Sequence, residues 1–366
     1  MGAVFLDLKK AFDLVDHSVL SSKLKHYVQC DTTCTLISSF LADRTQTVYI
    51  NGVYSSQTPV LRGVPQGSIL GPLLFCIFIN DLPLSIQNTS VSCDMFVDDN
   101  SIHTSSPNLK QLQNTLQISL NSVTNWCTEN SMCLNPVKTK CMVITTRQKQ
   151  QREPLCLQLT VNGDSIEQVN SHKVLGVTID EELRWHLHID KLCRSLSRNL
   201  YLLRRLKFLV HDNALKLFYA AHCLSLINYA STLWDGAADT HITRLNSLHR
   251  RGVKLIVTIP HLTTDEKLRI GQVLPMKYQL MYNKAVFVYK LRHGLGPEYL
   301  NPLLAPAERD NSLNYLLPRT RIDLFKTSFA FAGSAVWNSL PTDVKLCSTL
   351  SVFKLRLKQH LWKLCC

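Results

Sequence analysis

Three acidic residues stand where a carboxylate is expensive. Asp7 closes the apolar run Ala3-Val4-Phe5-Leu6, and Asp98 and Asp99 follow Met95-Phe96-Val97. A charge at the end of a buried strand costs free energy unless something positive meets it. Two strands that bring such carboxylates together make a seat for Mg²⁺, a hard cation typically held by one or two carboxylates plus substrate phosphates. Asp98-Asp99-Asn100 is also good turn chemistry, so the pair taken alone fits an exposed hairpin equally well.

Other residues bear on a polyanionic partner. Arg62 to Gly71 is a loop carrying Gly63, Pro65, Gly67 and Gly71, and glycine lets a backbone come close to a ligand. The same residues also serve a plain strand-to-helix turn. Between Lys191 and Lys207, Arg194, Arg198, Arg204 and Arg205 place positive charge along a helix with an apolar face. Such a helix suits phosphate contacts, and an ordinary solvated face is the alternative. His186 and His188 are two apart and face different directions on a helix, so they are not read as a metal site.

The whole chain is basic. Its 40 Lys and Arg against 27 Asp and Glu give a net charge of +13, which favours a nucleic-acid partner without requiring one. With 45% hydrophobic and 18% charged residues, disorder by composition is excluded, and 366 residues suffice for two or three domains. The 13 cysteines show no C-x-x-C spacing and no signal peptide precedes them. They read as reduced thiols of an intracellular protein, nuclear or cytoplasmic, with Cys76, Cys93 and Cys141 expected to be buried. The longest apolar stretch, Ile69 to Ile79, is too short to span a bilayer.

Elements that would position these residues follow from periodicity. A strand is expected at residues 3–6, helical structure over 18–40, and a hairpin around Asn51-Gly52, the strongest short hairpin signal. A helix is expected from Pro72 to Asp81. Two strand arms should flank Asp98-Asp99-Asn100. Leu109, Leu112, Leu116, Leu120, Val123 and Trp126 mark an amphipathic helix, followed by a strand over 134–144 and a surface loop over 145–153. Hairpin-like segments at 157–166 and 172–179 precede an almost wholly helical remainder. The change of period near residue 180 marks a domain boundary.

Taken in order, Phe5-Leu6-Asp7-Leu8-Lys9-Lys10-Ala11-Phe12-Asp13, the Arg62–Ser68 loop and Phe96-Val97-Asp98-Asp99 closely resemble motifs A, B and C of the reverse transcriptase palm. Leu70-Gly71-Pro72-Leu73-Leu74-Phe75 after motif B is similar to the enzymes of non-LTR (LINE-type) retrotransposons. Asn135-Pro136-Val137-Lys138-Thr139-Lys140 resembles motif D, and Lys173-Val174-Leu175-Gly176-Val177 resembles motif E. Leu183-Arg184-Trp185 and the tail from Ala335-Val336-Trp337 to Phe353-Lys354 also resemble this family, so the likeness covers nearly the whole chain. Five motifs in order are far more specific than any one.

The resemblance implies an α/β polymerase palm, a small antiparallel sheet backed by helices, over 1–180. A helical thumb over 181–260 and a helical C-terminal extension over 261–366 would follow. It implies an RNA-directed DNA polymerase that joins dNTPs to a primer 3′-hydroxyl with two Mg²⁺ ions, or Mn²⁺ in their place. Its partners would be an RNA template, a DNA primer and dNTPs. Asp7, Asp98 and Asp99, with the Leu8 carbonyl, would be the metal ligands. Phe12 would lie against the sugar and exclude a 2′-hydroxyl, although a core phenylalanine is its simpler reading. Arg62, Gln66 and Gly67 would face template or nucleotide, Lys138 or Lys140 the leaving pyrophosphate, and Leu175-Gly176 the primer end. The thumb would lie on the template–primer duplex.

Val97 and Asn100 depart from the commoner Ala and Thr of motif C. The family's fingers, which precede motif A, have no counterpart, and a preceding segment is expected to be missing. The alternative expectation is accordingly a catalytically inactive retrotransposon-derived remnant or a nucleic-acid-binding protein.

Overall fold

A computed structural model of the chain describes residues 1–86, 88–152, 155–307, 313–320 and 323–365. It divides into two compact units, Met1–Leu183 and Arg184–Cys366. Among the described residues no helix is long and apolar enough to cross a membrane.

The first unit is an α/β structure. Its elements begin with β1 (Gly2–Leu6), α1 (His17–Tyr27) and α2 (Asp31–Leu41). A ribbon follows, made of β2 (Thr45–Gln46), β3 (Tyr49–Ile50), β4 (Val53–Tyr54) and β5 (Thr58–Pro59), with Asn51-Gly52 at its tip. Next come α3 (Leu70–Ile79), β6 (Ser92–Phe96), β7 (Asp99–Thr104), α4 (Leu109–Glu129), β8 (Lys140–Val143) and α5 (Arg147–Arg152). Short strands β9 (Thr160–Val161), β10 (Asp164–Ser165) and β11 (Glu167–Gln168) lead to the hairpin of β12 (Ser171–Val174) and β13 (Val177–Asp180).

Five strands form the sheet that matters, in the order β11-β8-β1-β7-β6, with β1 at its centre and all pairs antiparallel except β11 with β8. Because β1 is covered on both faces, all five of its residues are buried. Val4 and Leu6 face the main core, where α4 presents Leu112, Leu116, Leu120 and Val123 at helical spacing. Ala3 and Phe5 face the other way, onto Met142, Val174 and Ile179. The N-terminus of α4 is capped by Asn108, whose side-chain oxygen accepts from the Lys110 and Gln111 amides at 2.9 and 3.3 Å.

Several expectations shift in detail. The hairpin between β6 and β7 turns at Val97 and Asp98, and Asp99 and Asn100 belong to β7. The segment expected as one strand over 134–144 keeps only an isolated bridge at Leu134 and then β8. Pro136 donates no ladder bond, and residues 135–139 turn instead. The loop expected over 145–153 contains α5. Cys76 is exposed and Cys93 half-buried, whereas Cys141 is buried. The reason for Cys76 is that α3 is apolar all round, so periodicity does not reveal its outer face. Leu74, Phe75, Phe78 and Ile79 take the core side.

The second unit is helical. It contains α6 (His186–Leu206), α7 (Asp212–Tyr219), a π-helical turn at Ala220–Leu224, α8 (Ser225–Asn228), α9 (Ser231–Trp234) and α10 (Asp239–Ile256). These are followed by α11 (Thr264–Ile270), α12 (Met276–Arg292), α13 (Asp323–Lys326), α14 (Phe329–Asn338), α15 (Thr342–Lys345) and α16 (Leu350–Lys363). One core gathers Leu196, Leu200, Tyr219, Trp234 and Val253, and a second gathers Tyr289, Trp337, Phe353 and Leu357.

The first of these cores holds a polar centre. His249 is fully buried, with Nδ1 2.7 Å from the Tyr219 hydroxyl and Nε2 2.9 Å from the Leu274 carbonyl oxygen. A carbonyl only accepts, so Nε2 carries a proton, and burial favours the neutral ring, in which Nδ1 accepts from Tyr219. Burial pushes the His249 pKa down, the bond to Leu274 opposes this, and Arg250 reinforces it. Burial lowers that of His188 as well, with Lys191 adding to the effect.

A histidine with a depressed folded pKa binds fewer protons folded than unfolded. Its stabilising contribution is therefore present above the unfolded value of about 6.5 and is lost as pH falls toward the folded one. The unfolding midpoint is expected to drop between pH 7.5 and 5.5, and His249→Gln to flatten part of that drop, leaving the part due to His188 and His172, whose pKa burial also lowers. Thermal melts of both proteins across the range check this. Parallel curves would remove His249 as the cause.

Candidate active site

Strand register decides what stands at the end of the sheet. β1 pairs with β7 from Gly2–Thr104 to Leu6–Asn100, and β7 pairs with β6 up to Phe96–Asp99. One step past the last pair, the same register sets Asp7 against Asp99 of β7. Asp98 sits in the two-residue turn beside them. Side chains alternate along a strand, so Asp7 and Asp99 share the face of Phe5, away from Val4 and Leu6. Asp7 is half-buried, and Asp98 and Asp99 are exposed. Among the described residues no hydrogen bond or salt bridge engages any of the three carboxylates.

The backbone of Asp7 is firmly held. Its amide donates to Thr139 Oγ1 at 3.2 Å, its carbonyl accepts from the Asn135 amide at 2.8 Å, and the Lys9 amide donates to the Cys133 carbonyl at 2.8 Å. The Leu8 carbonyl lies outside these bonds. Like charges at directly opposed positions repel, and hard carboxylate oxygens suit a hard divalent cation. Among the described residues no three His, Cys, Asp or Glu side chains close around one point. The donor set is thus an open one, two opposed carboxylates with a third in the adjoining turn.

Two neighbours were not singled out as site residues from sequence. Asn100 is only 4% exposed. Its Nδ2 donates to the Asp98 carbonyl at 3.1 Å, tying down the turn, while its Oδ1 is buried with no partner among the described residues. His172 on β12 stacks on Phe5, with ring centroids 4.2 Å apart. Burial lowers its pKa, the charge of Asp99 opposes this, and Lys140 reinforces it. Asn100 showed in the sequence only as a departure from Thr, and nothing local marks His172.

The loop at 62–67 is fastened to the chain just after Asp7. The Val64 amide donates to the Phe12 carbonyl at 2.9 Å and the Gly63 amide to that of Val15 at 2.7 Å. His17 Nε2 reaches the Gly63 carbonyl at 2.7 Å, and Gln66 Nε2 donates to Asp13 Oδ1 at 2.8 Å. Arg62 stands 3.8 Å from Asp16 and is largely solvated. Gly67, at φ +82°, has nothing near the position a Cβ would take. Phe12 is half-buried and stacks on Phe75 at 4.5 Å.

Lys140 bonds Glu167 at 2.6 Å and the Val137 carbonyl, which leaves exposed Lys138 as the lysine of the pair without an acidic partner among the described residues. Leu175 and Gly176, at φ 45° and 85°, form the tip of the β12–β13 hairpin. Both residues at positive φ is the requirement of a type I′ turn. That hairpin packs through Val174 and Ile179 on the same sheet face as Phe5.

Comparison with known proteins covers the same residues. Residues 2–179 match the family model described as reverse transcriptase (RNA-dependent DNA polymerase). The chain is 30% identical over 273 residues to the probable RNA-directed DNA polymerase from transposon BS of Drosophila melanogaster, covering 71% of this chain and 29% of that protein. It is 29% identical over 268 residues to the RNA-directed DNA polymerase from mobile element jockey of Drosophila funebris, covering 71% and 28%. It is also 27% identical over 262 residues to the probable RNA-directed DNA polymerase from transposon X-element of Drosophila melanogaster, covering 70% and 28%. The first unit therefore belongs to the reverse transcriptase family, and the chain has homologues among non-LTR retrotransposon polymerases. The chain spans under a third of the length of these relatives.

Gly63 tests how the loop is held. It has φ +91°, and a Cβ there would lie 2.8 Å from the Asp13 carbonyl oxygen and 2.9 Å from its Cα. Gly63→Ala is expected to cost about 1–3 kcal/mol from backbone strain, plus the cost of displacing residue 13. Gly67→Ala meets open space and bears only the strain. Urea unfolding of the two variants checks the difference, and equal losses would show that the loop is not clamped there.

Proposed function

We propose that the chain is the catalytic part of an RNA-directed DNA polymerase, extending a DNA primer on an RNA template with dNTPs. The observation that carries this reading is the placing of Asp7 and Asp99 beside the Asp98 turn, three carboxylates with no hydrogen bond or salt bridge among the described residues, at the end of the central strand pair. In this reading Asp7, Asp98 and Asp99, with the Leu8 carbonyl, hold two Mg²⁺ ions, or Mn²⁺. When bound, the metal supplies a lowered pKa at the primer hydroxyl and neutralises charge on the departing pyrophosphate.

The protein's own contribution is positioning. Leu175 and Gly176 hold the primer end on the face that carries Asp7. Gln66 and Gly67 offer backbone and amide groups to the nascent base pair, and Arg62 meets template or phosphate. Lys138 gives a proton to the leaving pyrophosphate. Phe12 closes the space a ribose 2′-hydroxyl needs. Residues 1–180 serve as the palm, 181–260 as the thumb and 261–366 as a C-terminal extension, in an intracellular protein.

Primer extension by the purified chain, with an RNA template, DNA primer, dNTPs and Mg²⁺, tests the reading. Activity is expected, falling by roughly 10²–10³-fold or more in Asp98→Ala. No extension by a folded parent chain would reduce it to a retrotransposon-derived remnant that keeps the carboxylates without catalysis.

Phe12 is tested separately by Phe12→Val, which keeps an apolar group against Phe75. Discrimination against ribonucleotides is expected to weaken by roughly 10- to 200-fold. Reduced stability with unchanged discrimination would return Phe12 to the core.

A further inference from the structure

Asn100 is a polar residue where the sheet asks for an apolar one. Along β7 it alternates inward with Ile102 and Thr104, and it pairs with Leu6 of β1 on one side and Met95 of β6 on the other. At 4% exposure it belongs to the core face of the sheet. Its Oδ1 is buried and has no partner among the described residues. A buried acceptor left unpaired costs free energy, and an apolar side chain of the same shape would avoid that cost. What the amide does make is the bond from Nδ2 to the Asp98 carbonyl, at 3.1 Å.

That carbonyl belongs to a turn whose own chemistry holds it poorly. Val97 and Asp98 are the two central residues between the pair Phe96–Asp99. Val97 has φ +58°, a region that glycine and asparagine enter readily and a β-branched residue does not. The ladder fixes the strands on either side and leaves the Asp98 peptide to other contacts. Because a peptide is planar, holding the Asp98 carbonyl sets that plane and with it the direction in which the Asp98 side chain leaves the backbone. The Asp98 carboxylate, with no hydrogen bond or salt bridge among the described residues, is aimed by its backbone alone. Side chains alternate along a strand, so Asn100 points to the face opposite Asp7 and Asp99. It acts on the site from beneath, not as a ligand.

We propose that Asn100 is a positioning residue for the divalent-cation site, holding the turn so that the Asp98 carboxylate meets the cation held by Asp7 and Asp99, at a cost in stability. This rests on the reading of those carboxylates as a cation site, though not on polymerase activity.

The test is Mn²⁺ binding to the full chain, followed by the electron paramagnetic resonance signal of the free ion, beside urea unfolding of the metal-free protein. The affinity that counts is the part that Asp98→Ala abolishes. Groups that orient metal ligands typically cost about 10–100-fold in affinity when removed. Asn100→Leu, apolar and branched at the same atom, is expected to weaken that binding about 10-fold, with a urea midpoint equal to or above the parent's. Asn100→Val answers a misfit of the longer side chain and carries the same two expectations. Thr104→Val removes another buried polar group from the same face, at the far end of β7, and is expected to bind Mn²⁺ as the parent does.

Parent-like affinity in the folded Asn100 variants, an equal loss in Thr104→Val, or midpoints below the parent's in both Asn100 variants would each overturn the proposal and leave the cation reading standing. Absence of any Asp98-dependent Mn²⁺ binding in the parent would overturn that reading and the proposal with it.

Discussion

The register between β1 and β7 is the constraint on which the catalytic reading depends. Leu6 opposite Asn100 sends Val4, Leu6 and Ile102 into the core and leaves Asp7 and Asp99 as the next opposed pair on the other face. Because side chains alternate with a period of two, a slip of one residue would turn Asp7 toward Leu8's side of the sheet and bury its charge. The hydrophobic pattern of β1 and the cover of α4 therefore do more than stabilise the unit. They set which atoms meet at its edge, and the like charges left facing each other there are what a divalent cation would relieve.

Backbone strain gathers around the same edge. Val97, a β-branched residue, has φ 58° in the turn before Asp98, Lys10 has φ 45° just after Asp7, and Leu175 has φ 45° in the hairpin that packs on this face. Conformations of this kind cost of order 1–3 kcal/mol each and persist where the surroundings over-determine them. At Val97 those surroundings are the β6–β7 ladder and the bond from Asn100 to the Asp98 carbonyl. At Leu175 they are the paired strands on either side and the Gly176 that follows. A looser turn chemistry at these positions would be more stable and less well aimed.

Legibility from sequence followed how local each signal is. A carboxylate closing an apolar strand is an anomaly visible within a few residues, so Asp7, Asp98 and Asp99 stood out, as did the glycine-bearing loop and the Asn51-Gly52 hairpin. The turn was harder to place. Asp98-Asp99-Asn100 has strong turn chemistry of its own, but pairing with β1 and the burial of Asn100, Ile102 and Thr104 pull Asp99 and Asn100 into the strand. Tertiary register overrides local preference at that point. His172 reaches Phe5 only through the stacking of a hairpin on a sheet, and no pattern in the sequence encodes that meeting. The arginines of α6 were legible as a row. The approach of α10 to that helix was not, because nothing linear joins the two.

What brings those two helices together is a residue without a side chain. Gly252 lies inside α10, where glycine costs about 1 kcal/mol against alanine. A Cβ at that position would come 2.3 Å from the ring of Tyr219 and 3.0 Å from Leu200 of α6. The helix thus accepts a local penalty so that α6, α7 and α10 approach closely, with Tyr219 fixed in turn by His249. The buried histidine and the glycine are thus parts of one construction, in which the inner side of α10 is packed against α6 and α7.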